Sequence, residues 1–312
     1  MPLDLPTPDR PLRIGTRGSP LALAQAHETR DRLMVAHGLP EAAFVIAVIK
    51  TTGDRVQDRS LSTLGGKGLF TREIEEALAA GAIDIAVHSM KDMPTLQPDG
   101  LEIAAYLPRE DPRDGFVSAG DGSLADLPPW SIVGTSSLRR KAQVLHRRPD
   151  LTVVEFRGSV QTRLRKLDEG VAAATFLAMA GVSRLGLRDV ARPIEPDDML
   201  PAIAQGAIGI EQRGGDDRIS ELMAAIHHTP TGQRLAAERA FLAALDGSCL
   251  TPIAGLAEID GDRMRFRGEI LRPDGSEALA HEVAGGVAEA ERLGTEAAAV
   301  LRGRSGPGFF SA

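Results

Sequence analysis

An apolar run that ends in Gly-Thr and passes at once into a hydroxyl-capped helix occurs twice in this chain, and that echo constrains the fold more than any other feature. The first copy is Ile14-Gly15-Thr16-Arg17-Gly18-Ser19 and the second is Val133-Gly134-Thr135-Ser136-Ser137-Leu138-Arg139. Each reads as a strand end, a turn and a helix start with its cap. Strand and helix signals alternate around the first copy. Leu12 to Ile14 form a short strand, and Ser19-Pro20 supply the cap and first-turn proline of a helix that Gly38 ends. Phe44 to Ile49 are continuously apolar, as in a strand buried on both faces. Thr71 caps a helix carrying Ile74, Ala77 and Leu78, which Gly81 stops; Ile83, Ile85 and Val87 then lead into His88-Ser89-Met90-Lys91-Asp92. The expectation is an α/β protein of two lobes with mostly parallel sheets, each lobe presenting a helix N-terminus to an anion. In such sheets, ligands bind at the turns beyond the carboxyl ends of the strands.

The 312 residues suffice for two or three compact domains. Pro108 to Pro112 and Pro193 to Pro201 read as the two crossings between lobes, and Gly206 to Glu211 as the strand returning to the first. From about Thr229 the pattern changes. A helix over Thr231 to Leu245 leads to Gly247-Ser248-Cys249, followed by strands at Ile253 to Ile259 and Met264 to Ile270 and an Ala-rich helix near Val287 to Leu301. Residues 1–107 and 201–225 are expected to form lobe one, 108–200 lobe two, and 226–312 a small C-terminal α+β domain with a fraying tail.

Net charge is -7, yet Trp130 to Val190 hold eleven Lys or Arg against five Asp or Glu. A basic region in an acidic protein points to an anionic ligand. Arginine supplies most of it, and its fork pairs bidentately with carboxylate or phosphate. For Arg147, Arg148 and Arg165 a solvated helix face is the simpler reading. One Trp and one Tyr give no platform for stacking nucleic-acid bases. Val171 to Val182, the most apolar stretch, is well short of the ~20 residues a membrane span needs. MPLDLPTPDR lacks the apolar run of a signal peptide, and one cysteine forms no internal disulfide, so a cytoplasmic protein without nucleic-acid or membrane partners is expected.

Lys91-Asp92, at a strand's carboxyl end before Pro94, read equally as a surface turn or as an acid placed for proton transfer. Gly65-Gly66-Lys67-Gly68 fails as a phosphate loop, because Leu61 stands where the pattern needs Gly and no Ser or Thr follows the lysine. A Gly-rich segment over a cleft, with Lys67 near an anion, fits better. Cys249 reads either as a buried, inert thiol or as a reactive one. His227-His228 lack metal-ligand spacing, and no metal is expected.

Several segments together resemble the porphobilinogen deaminase family. Glu238-Arg239-Ala240-Phe241, Leu245, Gly247-Ser248-Cys249 and Thr251-Pro252-Ile253-Ala254 resemble its cofactor-attachment signature, and Val87 to Pro94 its catalytic loop. Thr16 to Ala22, Arg109 to Asp114, Gly134 to Arg140, Arg157 to Arg163 and Leu200 to Gly206 resemble its other hallmarks, in the family's order. Ser159, where Asn is commoner, Thr63 and Gln212 depart from it.

The resemblance implies two lobes like type II periplasmic binding proteins plus the C-terminal domain. It implies a dipyrromethane cofactor held by a thioether to Cys249, and a monomer. The implied reaction deaminates four porphobilinogens, joins them head to tail, and releases hydroxymethylbilane with four ammonia. Asp92 and Lys91 are then catalytic and also contact the cofactor, with Thr135, Ser136, Ser137, Arg139, Arg140, Gly158 and Arg163. Arg17, Ser19, Arg157, Arg163 and Arg184 are implied at the substrate, with Lys67, Phe70 and Gln205. The chemistry suits these residues: each pyrrole carries an acetate and a propionate, and each arginine can fork onto one. Two rival readings are a non-catalytic, two-lobed binder of a small anion and a transferase using an ordinary cysteine thioester. The first leaves the Gly-Ser-Cys turn unexplained, the second the arginines.

Overall fold

A computed structural model describes residues 3–55, 71–120, 122–247, 251–306 and 308–310. Two compact units emerge. One comprises the described residues up to 55 with 71–110 and 207–232, and the other those of 111–206 and 233 onwards. Thirteen strands are formed among the described residues: β1 (Leu12–Thr16), β2 (Phe44–Val48), β3 (Ile85–Ser89), β4 (Leu101–Tyr106), β5 (Asp114–Ser118), β6 (Ile132–Gly134), β7 (Thr152–Val154), β8 (Ala174–Ala178), β9 (Arg192–Pro193), β10 (Ile208–Arg213), β11 (Ile253–Asp260), β12 (Arg263–Leu271) and β13 (Ala278–Gly286).

The first unit holds a sheet ordered β2-β1-β3-β10-β4. β1 pairs in parallel with β2 and β3, while β10 runs against both β3 and β4. Four of the five strands therefore point one way, as expected. Leu12, Ile14, Ile85, Val87, Ile208 and Ile210 pack on one face with Leu33 of the helix Pro20–His37 and Leu222 of the helix Asp217–Ala224. Ile83 and Ala86 pack on the other with Ile74 and Leu78 of the helix Arg72–Ala79.

Ser19 caps the helix Pro20–His37 by accepting from the Ala22 N–H, and Gly38 ends it with φ 65°. Thr71 stands at an N-cap position but makes no side-chain cap bond, so its expected capping role is corrected. β2 is also corrected. It is an edge strand, with Val45 and Val48 exposed rather than buried on both faces.

The second unit repeats the pattern as β7-β6-β8-β5-β9, with β5 running against both of its neighbours. Phe116 and Phe176 lie edge to face at 5.8 Å beside Val133, and Val144 of the helix Leu138–Arg147 covers them. The antiparallel sheet β11-β12-β13 belongs to the same unit. The helices Thr229–Ala244 and Ala290–Arg304 accompany it, and β13 is a strand that the sequence reading did not isolate. A Cβ at Gly294 would stand 2.0 Å from the Ala237 carbonyl oxygen, so only glycine lets these two helices meet so closely.

Candidate functional site

In the first unit β1 and β3 are parallel neighbours, so the turns after them share one edge of the sheet. The turn after β1 holds Arg17 and Ser19, both half-buried. The turn after β3 is a short 3-10 segment, Met90–Asp92, with Lys91 and Asp92 half-buried. Three anchors hold it. Gln25 Nε2 donates to Ser89 Oγ at 2.7 Å. The Met90 N–H donates to the Ala207 carbonyl at 3.0 Å, and its side chain is 1% exposed. His88 Nε2 lies 3.0 Å from Glu211 Oε2, both side chains being buried. A Cβ at Gly209 would stand 2.1 Å from Met90 Sδ, so that glycine makes room for the turn.

In the second unit β7, β6 and β8 are adjacent and parallel, and the expected residues fall in the segments immediately C-terminal to them. After β6, Ser136 Oγ accepts from the Phe156 N–H at 3.0 Å, and Ser137 caps the helix Leu138–Arg147. Thr135 Oγ1 accepts from the Ser137 N–H at 3.2 Å. A Cβ at Gly134 would lie 2.4 Å from Phe156 Cγ, which fixes the width of this turn. After β7 come Arg157 and Gly158, with Ser159 capping the helix Val160–Asp168. Gly158 has φ 126°, a conformation that favours glycine. Arg163 Nε donates to its carbonyl at 3.0 Å. After β8, Arg184 ends the helix Met179–Arg184 and donates to the Gly206 carbonyl from both terminal nitrogens at 3.2 Å.

Arg139 and Arg140 are buried and share Asp114. Arg139 uses its terminal fork, Nη1 to Oδ2 at 2.7 Å and Nη2 to Oδ1 at 3.1 Å. Arg140 comes side-on to Oδ1 with Nε at 2.9 Å and Nη2 at 2.6 Å, and gives Nη1 to the Phe176 carbonyl. Burial alone would raise the Asp114 pKa, but the charges of Arg139 and Arg140 outweigh it and hold the carboxyl far below the usual carboxylate range. Gln205, expected at the ligand, is 1% exposed; its amide donates to Asp114 Oδ1 at 3.0 Å and to the Pro112 carbonyl at 2.8 Å. One donor is left over: Arg139 Nε is buried without a partner.

Asp114 is the residue that sequence reasoning missed. It lies in the Arg109 to Asp114 stretch, and nothing local ties it to arginines 25 and 26 residues later. Gln143 and Glu269 were missed too: Gln143 accepts from Arg139 Nη1 at 3.1 Å and donates to Glu269 Oε2 at 2.6 Å. Arg113 pairs with Asp111 and Glu195. Lys67, Phe70 and Cys249 lie outside the described residues.

Each five-stranded sheet places arginine and hydroxyl side chains beyond the ends of its own parallel strands, groups that suit carboxylates. Comparison with known proteins agrees. The family model of the porphobilinogen deaminase dipyromethane cofactor binding domain matches residues 12–221, and that of the porphobilinogen deaminase C-terminal domain matches residues 233–303. A porphobilinogen deaminase of Paracoccus denitrificans (strain Pd 1222) is 66% identical over 307 residues, 98% of each chain. Among solved structures, the VFT2 domain of Bordetella pertussis BvgS is 14% identical, with 73% of this chain and 90% of that one covered at TM-score 0.42. A TRAP periplasmic solute-binding protein of Desulfovibrio salexigens is 10% identical, with 70% and 73% covered at TM-score 0.42. Those two scores are low, and the family models and the close relative decide the matter: the chain belongs to the porphobilinogen deaminase family.

Proposed function

We propose that this chain is a transferase that deaminates four porphobilinogen molecules and joins them head to tail on a dipyrromethane primer, releasing hydroxymethylbilane and ammonia. The family match over residues 12–221 and 233–303 carries this reading. The residues fit the primer. Its rings bear carboxylates, and Arg139 Nε is a buried guanidinium donor with nothing to bind. Arg163, Ser136 and Ser137 would hold those carboxylates with Arg139 and Arg140, while Arg17, Ser19, Arg157, Arg163 and Arg184 would serve the incoming substrate. When bound, the dipyrromethane supplies the terminal pyrrole on which the chain is extended.

The remaining chemistry falls to the turn after β3. A substrate losing ammonia becomes electron-poor, and the subsequent coupling must shed a proton. Asp92, as a carboxylate, would accept the pyrrole N–H bonds, offset the developing charge and take up that proton. Lys91 would pair with ligand carboxylates and keep them from repelling Asp92. Cys249 is the proposed thioether anchor, and Lys67 and Phe70 are proposed substrate contacts. We further propose a cytoplasmic monomer, without nucleic-acid or membrane partners, built of lobes 1–107 with 201–225, 108–200, and a domain from 226 on. Among the described residues no helix is long and apolar enough to cross a membrane.

Intact mass tests the reading. The purified protein should carry a covalent adduct of two pyrrole units that Cys249→Ser lacks. Asp92→Asn should keep its circular dichroism and melting temperature while kcat falls by about 10²–10⁴, the usual worth of a positioned acid or base. An unmodified yet active protein would exclude the tethered primer, and an Asp92→Asn enzyme at wild-type rate would exclude that role for Asp92.

A further inference from the structure

Two buried guanidiniums share one buried carboxylate in the second unit, and the grouping carries a net positive charge. Such an arrangement is costly to desolvate unless each group is fully hydrogen-bonded. Asp114 meets that condition, since four arginine contacts and the Gln205 amide converge on its two oxygens. Arg139 does not: the Asp114 fork occupies Nη1 and Nη2, and Nε is left without a partner. The carboxylate thus turns Arg139 end-on toward the protein and keeps its Nε edge for another acceptor. Arg140 presents the opposite edge, its Nε and Nη2, to Asp114. The same group is tied outward. Gln143 takes Arg139 Nη1 on its carbonyl and passes its amide to the Leu200 carbonyl and to Glu269 on β12. Glu238, on the helix Thr229–Ala244, accepts from the N–H groups of Ala204 and Ala257, fixing the left-handed residue (φ 58°) just before Gln205.

We infer that Asp114 is a positioning residue for ligand carboxylates, acting through Arg139 and Arg140, and that Gln205 serves Asp114 instead of the ligand. The inference rests on the proposed reaction, because it needs a ligand bearing carboxylates. Removing the Asp114 charge would leave two guanidiniums buried against a neutral amide, so Asp114→Asn is the variant that can fail to fold. Asp114→Glu keeps the charge but pushes the carboxylate outward by one methylene. Gln205→Leu keeps every charge and removes only the amide that orients Asp114.

The experiment measures three quantities on wild type, Asp114→Glu and Gln205→Leu: the fraction of purified chains carrying the two-ring adduct by intact mass, KM and kcat of the adduct-bearing fraction, and melting temperature. Both variants should fold, show a severalfold smaller adduct-bearing fraction, and raise KM about tenfold with kcat within about twofold, the pattern of lost uniform binding. If both carry the adduct fully and keep the wild-type KM, whatever their melting temperatures, Asp114 is a structural ion pair and the inference is overturned. The wild-type sample separates the two levels. An adduct there alongside normal variants rejects this inference alone, whereas no adduct in wild type rejects the proposed reaction and this inference with it.

Discussion

Asp114 is fully buried between Arg139 and Arg140, and the sign of its effect on stability follows from that. Burial works against its ionisation and the two arginines more than compensate, so its folded pKa lies below the ordinary 3.8. A depressed carboxyl contributes stability that is fully present above its unfolded value and is lost as pH falls through the folded one. Asp84, half-buried with Arg13, and Asp111, with Arg113, are lowered as well, each overcoming its burial through arginine hydrogen bonds. Unfolding free energy should therefore be level from about pH 5 to 7 and fall steadily below about pH 4. An Asp114→Asn protein that folds should be less stable at neutral pH and show a shallower acid limb in urea titrations at stepped pH. An unchanged acid limb would mean that Asp114 does not set it. None of this was legible locally. The arginine surplus between Trp130 and Val190 announced an anion, but the sequence could not say that part of that anion is the protein's own carboxylate.

At the scale of elements, the two Gly-Thr echoes proved the most legible feature. Both become strand ends followed by serine-capped helices, at Ser19 and Ser137. Their signals are local: a cap, a proline, a glycine that must close a turn. Pairing is not local. The Phe44 to Ile49 run reads as doubly buried, yet β2 lies at the edge, because hydrophobicity reports a preference and not the number of neighbours. β13, with Ala, His and Gly among its residues, gives a weak strand signal and exists because β12 supplies a full antiparallel register. Close approach is equally hidden. Gly209 on β10 faces Met90 of the Asp92 turn, and an added methyl there must displace the methionine. Such overpacking costs about 1–3 kcal/mol. Gly209→Ala should lower kcat by more than its small loss of melting temperature would suggest, and Met90→Ala in the same chain should recover part of it. A Gly209→Ala enzyme at wild-type kcat would show that the turn tolerates the shift.

Across the whole molecule, chain order and spatial order diverge. β10, at Ile208–Arg213, lies between β3 and β4, so β4 joins its sheet only through a strand that comes about a hundred residues later. The sequence did foresee the return of Gly206 to Glu211 to the first lobe, since an apolar run after a proline-rich crossing has few other destinations. It could not place that strand within the sheet. Loop closure over such a distance costs only logarithmically more than over a short one, so the arrangement is tolerated at equilibrium. A chain ending at residue 200 should show unprotected β4 amides in hydrogen exchange while the same amides are protected in the full chain. Equal protection would mean that β4 holds its place without β10.

The insertion of β10 also bears on how the protein is made. While the ribosome adds the residues between Tyr106 and Ile208, β3 is a sheet edge with its hydrogen-bonding groups unpaired, and the apolar residues of β4 have nothing to dock on. At about 5–20 residues per second this lasts about 5 to 20 seconds, in which an open edge is a template for another nascent chain. Only the arrival of Ile208 to Arg213 closes it. The first lobe to be translated is therefore completed after the strands of the second sheet have already emerged, and a cell making this protein quickly will need chaperones most during that interval.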